Sequence, residues 1–516
     1  MDLWNLVKRG FMYYPDNVAV IHGDQRVTYR QLEQRINRLS NALSHLGLKK
    51  GDSVSVLGEN SLTVLEAQYA IIKNGLVWVP LNMRNHPKEH AHCLNNAESK
   101  ALIMLPTYAE GIASVQGELE TCRHFIVDGP GFGDMMRYDD LMAAADDTPT
   151  KHDIDENDNL CIMHTSGTTG QAKGVVHTHK TWVLMSFMTS CLLDIKESDV
   201  AIYVAPINHG SGILIGPHFM MGVPNILVSH LDVDYILQTI QKEKVTTMWL
   251  APTIIYFLLA YPNTKRYDFS SLRNLCYSSA PIAVEKLKEA LSVFGRKFNQ
   301  TYGLVECPMI TNLTAEEHVV DGTPAQTHRL GSAGRELILT EVRVVDDQGR
   351  ALPPGEKGEV ITKSPLVMKE YWKNPEATAE ALRGGWLYSG DMGYLDEEGY
   401  LYIADRKKDM IITGGYNVYP KEVEDVIYTH PSVFEAAVIG IPDDLWGESV
   451  LACVTLKPGQ PATEEEIIAL CKNNLASYKK PKSVKFVYSL PKSLTGKILK
   501  TELRQAYWAG KERQVV

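Results

Sequence analysis

From Thr28 to about Leu330 the chain alternates stretches in which apolar residues recur every three to four positions with short continuous apolar runs. The first such stretch carries the pattern in full: Leu32, Ile36, Leu39, Leu43 and Leu46 follow a capping-box pair, Thr28 and Gln31, which predicts a capped amphipathic helix. Repeated along the chain, the alternation predicts βα units and a largely parallel sheet, an α/β fold. After Leu330 the texture changes to short strands separated by turn residues: Glu341 to Val345, Asp346-Asp347-Gln348-Gly349, Pro353-Pro354-Gly355, and Gly358 to Thr362. This predicts a small β-rich unit. An apolar strand, Tyr400 to Ala404, then meets the charged run Arg406-Lys407-Lys408-Asp409, which taken alone reads as a solvated turn, and a second apolar run follows at Met410 to Ile412. The remainder reads as a compact α+β tail. It has a helix with Pro420 at its first position, a strand Ala436 to Ile441, and a helix through Ile467, Leu470 and Cys471 opened by the capping box Thr463/Glu466. A strand Val484 to Val487 and a closing helix Ile498 to Trp508 complete it.

Composition narrows the class. The 516 residues allow roughly three domain-sized units, and 44% hydrophobic with 22% charged content is that of a globular chain. A net charge of −10 argues against a nucleic-acid partner, which usually meets a basic face. The cysteines, Cys93, Cys122, Cys161, Cys191, Cys276, Cys307, Cys453 and Cys471, are scattered with no CxxC, the usage of reduced thiols in a cytoplasmic protein. Asp2, Lys8 and Arg9 interrupt the N-terminal segment, so a secretory signal is not expected there. The most apolar stretch, Ala201 to Leu231, is broken by Asn208, His209, Pro217, His218, Pro224 and Asn225, so no membrane span is expected.

Two runs, one of them glycine-rich, carry the chemistry. TSGTTGQAKGV, Thr165 to Val175, offers Gly167, Gly170 and Gly174, four hydroxyls and the charge of Lys173, which is what a polyphosphate needs from a loop. PKSLTGK, Pro491 to Lys497, presents one lysine beside a glycine close to the C-terminus, where it reads as exposed and flexible. Neither is a Walker loop, because Lys173 precedes Gly174 and Lys497 precedes Ile498 where Ser or Thr would be required; no GxGxxG run opens a helix either. The pair points to an ATP-using enzyme assembled from two distant parts of the chain.

In order along the chain, TSGTTGQAKGV, SSAP (Ser278 to Pro281), QTYGLVE (Gln300 to Glu306), YSGD (Tyr388 to Asp391), DRKKDMIITGGYNVYP (Asp405 to Pro420), PDDLWGE (Pro442 to Glu448) and PKSLTGK resemble the acyl-CoA synthetases of the adenylate-forming superfamily. The resemblance spans nearly the whole chain. It implies a large N-terminal AMP-binding domain, 1–404, made of two βα-layered subdomains to about 330 and a small β-barrel over about 331–404. A hinge at 405–409 and a mobile C-terminal lid, 410–516, would follow. It implies an acid–thiol ligase that uses ATP, coenzyme A and Mg2+. Thr165, Ser166, Gly167, Thr168, Thr169 and Lys173 would hold the β- and γ-phosphates. Ser279, Ala280, Pro281, Gln300, Tyr302 and Gly303 would line the nucleotide site, with Tyr302 on the adenine. Glu306 would hold magnesium, Asp391 would accept the ribose hydroxyls, and Arg406 would contact ribose or phosphate. Lys497 would be the catalytic cation of adenylation, Lys408 the hinge, and Gly414, Gly415, Tyr416 and Trp446 part of a thiolation face for coenzyme A.

The acid pocket would be formed by PINHGSG, Pro206 to Gly212, with Tyr277, Ser278 and Gly303, His209 closing over the acid and Ser211 and Gly212 beside it. No aspartate stands between Val204 and Pro217 to pair an α-ammonium, which disfavours an amino acid. Gly210, Gly212, Ser278 and Ser279 leave space near the carboxyl end, which favours an aromatic acid over a medium- or long-chain fatty acid. A nucleotide-binding regulatory protein is the alternative of another class, and it would lose Lys497 or Glu306, both of which are present. A homodimer is left open. Two departures stand out: Val305 where the family usually has threonine, and Glu370 where glycine is common. His86, His90, His92 and Cys93 lack the spacing of known metal sites. His177 and His179, at alternate positions of a strand, read as ordinary surface histidines.

Overall fold

The protein is described by a computed structural model that covers residues 1–165, 172–208, 210–493 and 496–509. Ser166, Gly167, Thr168, Thr169 and His209, all named above, lie outside the described residues. The chain forms two compact units. The first comprises Met1–Ser278, Gly303–Met309 and Ser364–Glu380; the second comprises Ser279–Tyr302, Ile310–Lys363 and Ala381–Val516.

The first unit contains two sheets. In one, strands Val77–Pro80, Ser53–Leu57, Ala101–Met104 and His124–Val127 run parallel, with Val54 opposite both Trp78 and Ala101. Asn159–His164 joins this sheet beside Trp78, and Gly174–Thr178 and Glu370–Tyr371 extend it antiparallel. In the other, Asn274–Tyr277, Thr247–Leu250, Ala201–Tyr203, Asn225–Leu227 and Val18–His22 are parallel, and Gln25–Thr28 returns antiparallel. Central strands are buried on both faces as a parallel sheet covered by helices requires; every residue of Ser53–Leu57 is buried, its two serines included. The expected first helix is present at Tyr29–His45, where the Thr28 hydroxyl accepts from the Gln31 N–H and the Gln31 amide oxygen accepts from the Thr28 N–H. Leu32, Ile36, Leu39 and Leu43 form its buried stripe.

In the second unit the β-rich segment is an open sheet. Glu341–Val345, Gly358–Lys363, Trp386–Leu395 and Leu401–Arg406 pair antiparallel in that order, and Leu382–Arg383 adds to Trp386–Leu395. The outer strands Glu341–Val345 and Leu401–Arg406 are not paired to each other, so the barrel implied by the resemblance is not closed among the described residues. The C-terminal part is α+β. Its long hairpin, Val433–Asp443 with Gly447–Leu456, presents Ala436 and Val438 to Val423, Ile427, Ile467 and Cys471 on one face. Ala437 and Ile439 pack toward Leu503 and Tyr507 on the other. Strand alternation thus distributes three helices, Pro420–Ile427, Glu464–Asn474 and Lys500–Trp508, over both faces of the hairpin. The chain has a large mixed α/β N-terminal part with several sheets and a smaller α+β C-terminal part. No helix among the described residues is long and apolar enough to cross a membrane.

His177 and His179 are not surface residues. Both are fully buried, His177 within strand Gly174–Thr178 and His179 at the start of helix His179–Leu193. Burial pushes each imidazole down to about 4. The alternating-face reading fails because this strand has no solvent face.

Candidate active site

In the first unit, Thr165 and Lys173 flank the glycine-rich segment at the end of the hairpin Asn159–His164/Gly174–Thr178. The Thr165 N–H donates to the Lys173 carbonyl at 2.9 Å, and the Lys173 N–H approaches the Thr165 hydroxyl at 3.4 Å. Tyr371, paired with Val175 in the next strand, places its ring 5.0 Å from the Lys173 ammonium and donates its hydroxyl to Glu306 Oε1 at 2.6 Å. The result is a row of ammonium, phenol and carboxylate. Glu306 lies with Val305 in the turn between Leu304 and Cys307, and its carbonyl accepts from the Met368 N–H at 2.7 Å. With Oε1 taken by Tyr371, Oε2 is the oxygen that would meet a cation. One hard carboxylate oxygen suits Mg2+, which is commonly held by one or two carboxylates together with phosphates and water. Tyr371 carried no signal in the sequence beyond its place next to the unusual Glu370.

The expected acid pocket is tighter than the sequence implies. Ser211 donates its hydroxyl to the carbonyls of Ala205 and Pro206, at 3.0 and 2.7 Å, so it is committed to its own loop. Gly212 and Gly303 do not open space. A Cβ at Gly212 would lie 2.1 Å from the Ile207 carbonyl oxygen and one at Gly303 2.2 Å from that of Pro308; both glycines permit close backbone approach. Around Gly210 there is room. Tyr277 is fully buried at the end of its strand, and Ser278 follows it half-exposed.

In the second unit, Ser279 has φ +76, a left-handed conformation unusual for a residue other than glycine, asparagine or aspartate; Ala280 and Pro281 continue this exposed turn. Such strain concentrates where a binding site fixes the backbone. Gln300 contributes its carbonyl to the Asn312 side-chain amide at 2.7 Å. Tyr302 donates its hydroxyl to Asp391 Oδ2 at 2.7 Å, while Asp391 Oδ1 meets Arg406 Nε at 2.7 Å. Asp391 and Arg406 are directly opposed across adjacent strands, which explains the ion pair from backbone register alone. Burial first, then the Asp391 charge, raises the Tyr302 phenol.

Lys497 is not the solvated lysine its glycine-flanked context predicts. It is half-buried in a turn in which the Ser493 N–H donates to the Lys497 carbonyl at 2.7 Å and the Lys497 N–H to the Ser493 hydroxyl at 3.1 Å. Desolvation, then the like charge of Arg406, lowers its ammonium to about 8 against the attraction of Asp391, Asp409 and Asp405. Lys408, in the helical turn Lys407–Asp409, is also lowered to about 8, again by burial and then by Arg406. Two residues that the sequence reading passed over anchor this region. Lys500 bridges Asp405 (3.2 Å) and Glu424 (2.9 Å), and Arg504 pairs with Asp409 at 2.5 Å. Their spacing on one helix face is legible in the sequence, but Asp405 and Asp409 each lie 95 residues from the side chain they pair with.

Gly414 and Gly415 turn with φ +57 and +83. The Trp446 ring packs against Gly414, where a Cβ would lie 2.6 Å from it, and the Gly414 N–H donates to the Trp446 carbonyl at 2.8 Å. Tyr416 stacks on Tyr478 at 4.8 Å between centroids, and both Tyr416 and Trp446 are exposed. Elsewhere, His86 caps helix Pro87–Asn96, His90 lies 2.9 Å from the Asn82 carbonyl, and His92 lies 3.2 Å from that of Ala172.

Comparison with known proteins gives these clusters a context. The profile of the AMP-binding enzymes matches residues 8–372, and that of the AMP-binding enzyme C-terminal domain matches residues 422–497. A feruloyl-CoA synthase of Amycolatopsis sp is 37% identical over 498 residues, 96% of each chain. A long-chain-fatty-acid–CoA ligase of Mycobacterium tuberculosis is 36% identical over 493 residues, 94% of each. The crystal structure of the anthranilate CoA ligase AuaEII with anthranoyl-AMP superposes with a TM-score of 0.90 at 29% identity, covering 98% of this chain and 97% of that one.

Proposed function

The chain belongs to the AMP-binding enzymes, as an AMP-forming acid–thiol ligase of the adenylate-forming superfamily, and from that premise we propose that it activates an aromatic carboxylic acid and transfers it to coenzyme A. A carboxylate does not accept a thiol directly, because its oxygen is a poor leaving group. One carboxylate oxygen of the acid therefore attacks the α-phosphorus of ATP and pyrophosphate leaves. The thiol of coenzyme A then attacks the carbonyl carbon of the mixed anhydride, gives up its proton, and AMP leaves with its phosphate oxygen.

The observation that carries this reading is the convergence of Lys497, Arg406 and Asp391 in one cluster. In the first step negative charge accumulates around the α-phosphate, and an oriented, half-desolvated ammonium stabilises it more strongly than one in water. Lys497 takes that role. Asp391, held by Tyr302 and Arg406, receives the ribose hydroxyls, and Tyr302 offers its ring to the adenine. Thr165, Lys173 and the intervening loop receive the β- and γ-phosphates. Glu306 would hold Mg2+, which when bound would neutralise phosphate charge. For the second step Lys408, within a hinge at 405–409, carries the lid 410–516 between two poses relative to the N-terminal domain 1–404. The exposed face of Gly414, Gly415, Tyr416 and Trp446 then receives coenzyme A.

The aromatic preference is supported by the feruloyl-CoA synthase and anthranilate ligase relatives, whose names state aromatic acids. A long-chain fatty acid is the second reading, favoured by the nearly equal identity to the mycobacterial ligase. Carboxylate-dependent release of pyrophosphate across hydroxycinnamates, aminobenzoates and fatty acids, with the thioester followed by mass, separates them. Thioester only with the aromatic panel is expected, and turnover only with fatty acids overturns the aromatic assignment.

A further inference from the structure

The buried histidine of strand Gly174–Thr178 is not used by the chemistry above, and its geometry gives it a task. His177 Nε2 lies 2.7 Å from the carbonyl oxygen of Val305. A carbonyl has no proton to give, so Nε2 carries the hydrogen and donates. The other ring nitrogen, Nδ1, is buried and has no hydrogen-bond partner among the described residues, as befits a neutral ring protonated on Nε2 alone. Burial, only partly offset by the Val305 carbonyl, lowers the imidazole to about 4, in keeping with a neutral ring near pH 7.

Three parts of the first-unit site depend on this one strand. At its start it leads directly from Lys173; at Val175 and Val176 it pairs with Tyr371 and Glu370, the strand that supplies the hydroxyl to Glu306; and at His177 its side chain grips the turn that carries Glu306. The segment following Leu366 makes a parallel tie, with the Met368 N–H to the Glu306 carbonyl and the Lys369 N–H to the Val176 carbonyl, at 2.7 and 2.8 Å. The turn is thus fixed at two successive carbonyls, Val305 by His177 and Glu306 by Met368. The first is a side-chain bond that one substitution removes.

We propose that His177 is a positioning residue for the metal–nucleotide site: its Nε2–H bond to the Val305 carbonyl sets the turn so that the Glu306 carboxylate stands in register with Lys173 and Tyr371. This rests on the reading of Glu306 as the magnesium-bearing carboxylate. Val305 heightens the dependence, because its side chain has no hydroxyl with which to anchor the turn or reach a phosphate.

The test is equilibrium binding of Mn2+ and ATP to the full-length protein without acid or coenzyme A, read from the electron paramagnetic resonance signal of free Mn2+. His177→Leu should weaken Mn2+·ATP binding about ten-fold, the scale of one buried hydrogen bond lost from its acceptor. His177→Gln, whose Nε2 amide can reach the same carbonyl, should recover most of that loss. Glu306→Gln is the reference: unchanged metal binding in that variant overturns the reading of Glu306 itself, and the proposal with it. If Glu306→Gln weakens binding but His177→Leu does not, the strap alone is overturned. Equal loss in the Leu and Gln variants also overturns it, because that marks a packing role. A measurement on the unaltered protein covers the case in which His177→Leu does not fold. With 15N-labelled histidine, the Nε2–H resonance of His177 should shift when Mg·ATP is added, and a resonance that does not move overturns the proposal.

Discussion

The turn at Val305 and Glu306 in the first unit and the Lys497 region in the second are built by different means. The first is held by neutral donors: the His177 imidazole to the Val305 carbonyl, the Met368 N–H to the Glu306 carbonyl, and the Tyr371 hydroxyl to the Glu306 carboxylate. The second is held by charge, through Asp391 with Arg406, Asp405 and Glu424 with Lys500, and Asp409 with Arg504. Bonds from neutral donors fix geometry and respond little to salt. Ion pairs respond to salt and to pH, and each partner lost leaves a charge exposed to the next. A site that must present phosphate ligands in one arrangement is served by the former. On the proposed function, a lysine that acts in one step and departs for the next would be served by the latter.

The comparison breaks first at Lys497. Lys497→Ala should reduce adenylation on the order of a hundred-fold or more, by analogy with the loss of an oriented oxyanion donor. Thioester formation from supplied acyl-adenylate should persist, and equal loss in both half-reactions would sink the assignment. Arg504→Leu comes next: it leaves Asp409 buried, with Lys500 still nearby, so folding stability should fall by about 2–3 kcal/mol, read from denaturant midpoints. An unchanged midpoint would mean that the pair is solvated and anchors nothing.

The effect of pH follows from the direction of the Lys497 shift. Its ammonium is lowered to about 8, so the acting, protonated form is lost as pH rises through that value. The kcat/KM of adenylation, which reports the free enzyme, should therefore fall about ten-fold per pH unit above about 8. The sign for stability is opposite. Between about 8 and the ordinary lysine range the unfolded chain binds more protons than the folded one, so the penalty of burying this charge is relieved as pH rises. His177, lowered to about 4, adds no limb near neutrality. An alkaline limb of adenylation that survives in Lys497→Ala would assign it elsewhere.

Local signals in the sequence were accurate where the structure is local. The capping boxes at Thr28 and Thr463, and the helix stripe of Leu32, Ile36, Leu39 and Leu43, depend on neighbours within a turn or two and appear as expected. Properties that depend on remote partners did not show. An open sheet and a closed barrel share the same strand pattern and differ only in whether Glu341–Val345 meets Leu401–Arg406. Gly212 looked like vacant space because a sequence does not reveal which carbonyl lies against a missing Cβ. Lys497 looked solvated because Arg406, Asp391, Asp405 and Asp409 are distant in sequence, and His177 because burial on both faces erases alternation. The order of the motifs identified the family; the supports beneath them, Tyr371, Lys500 and Arg504, required coordinates.

The smallest expected effect sharpens the contrast most. Val305→Thr preserves the shape of the residue and its carbonyl, so the bond from His177 persists, while a hydroxyl is added at the turn. If backbone bonds already set the turn, the hydroxyl contributes only one further contact to phosphate or adenylate. Adenylation should then rise by about two- to five-fold, the scale of one exposed hydrogen bond, with the pH limb unchanged. A loss of similar size would instead mean that the valine methyls pack the turn and that threonine forfeits packing it cannot replace. In the His177→Leu background the same hydroxyl should help less, because a turn released from its strap no longer presents it in one place, and equal gains in both backgrounds would separate side chain from strap and remove the coupling between them.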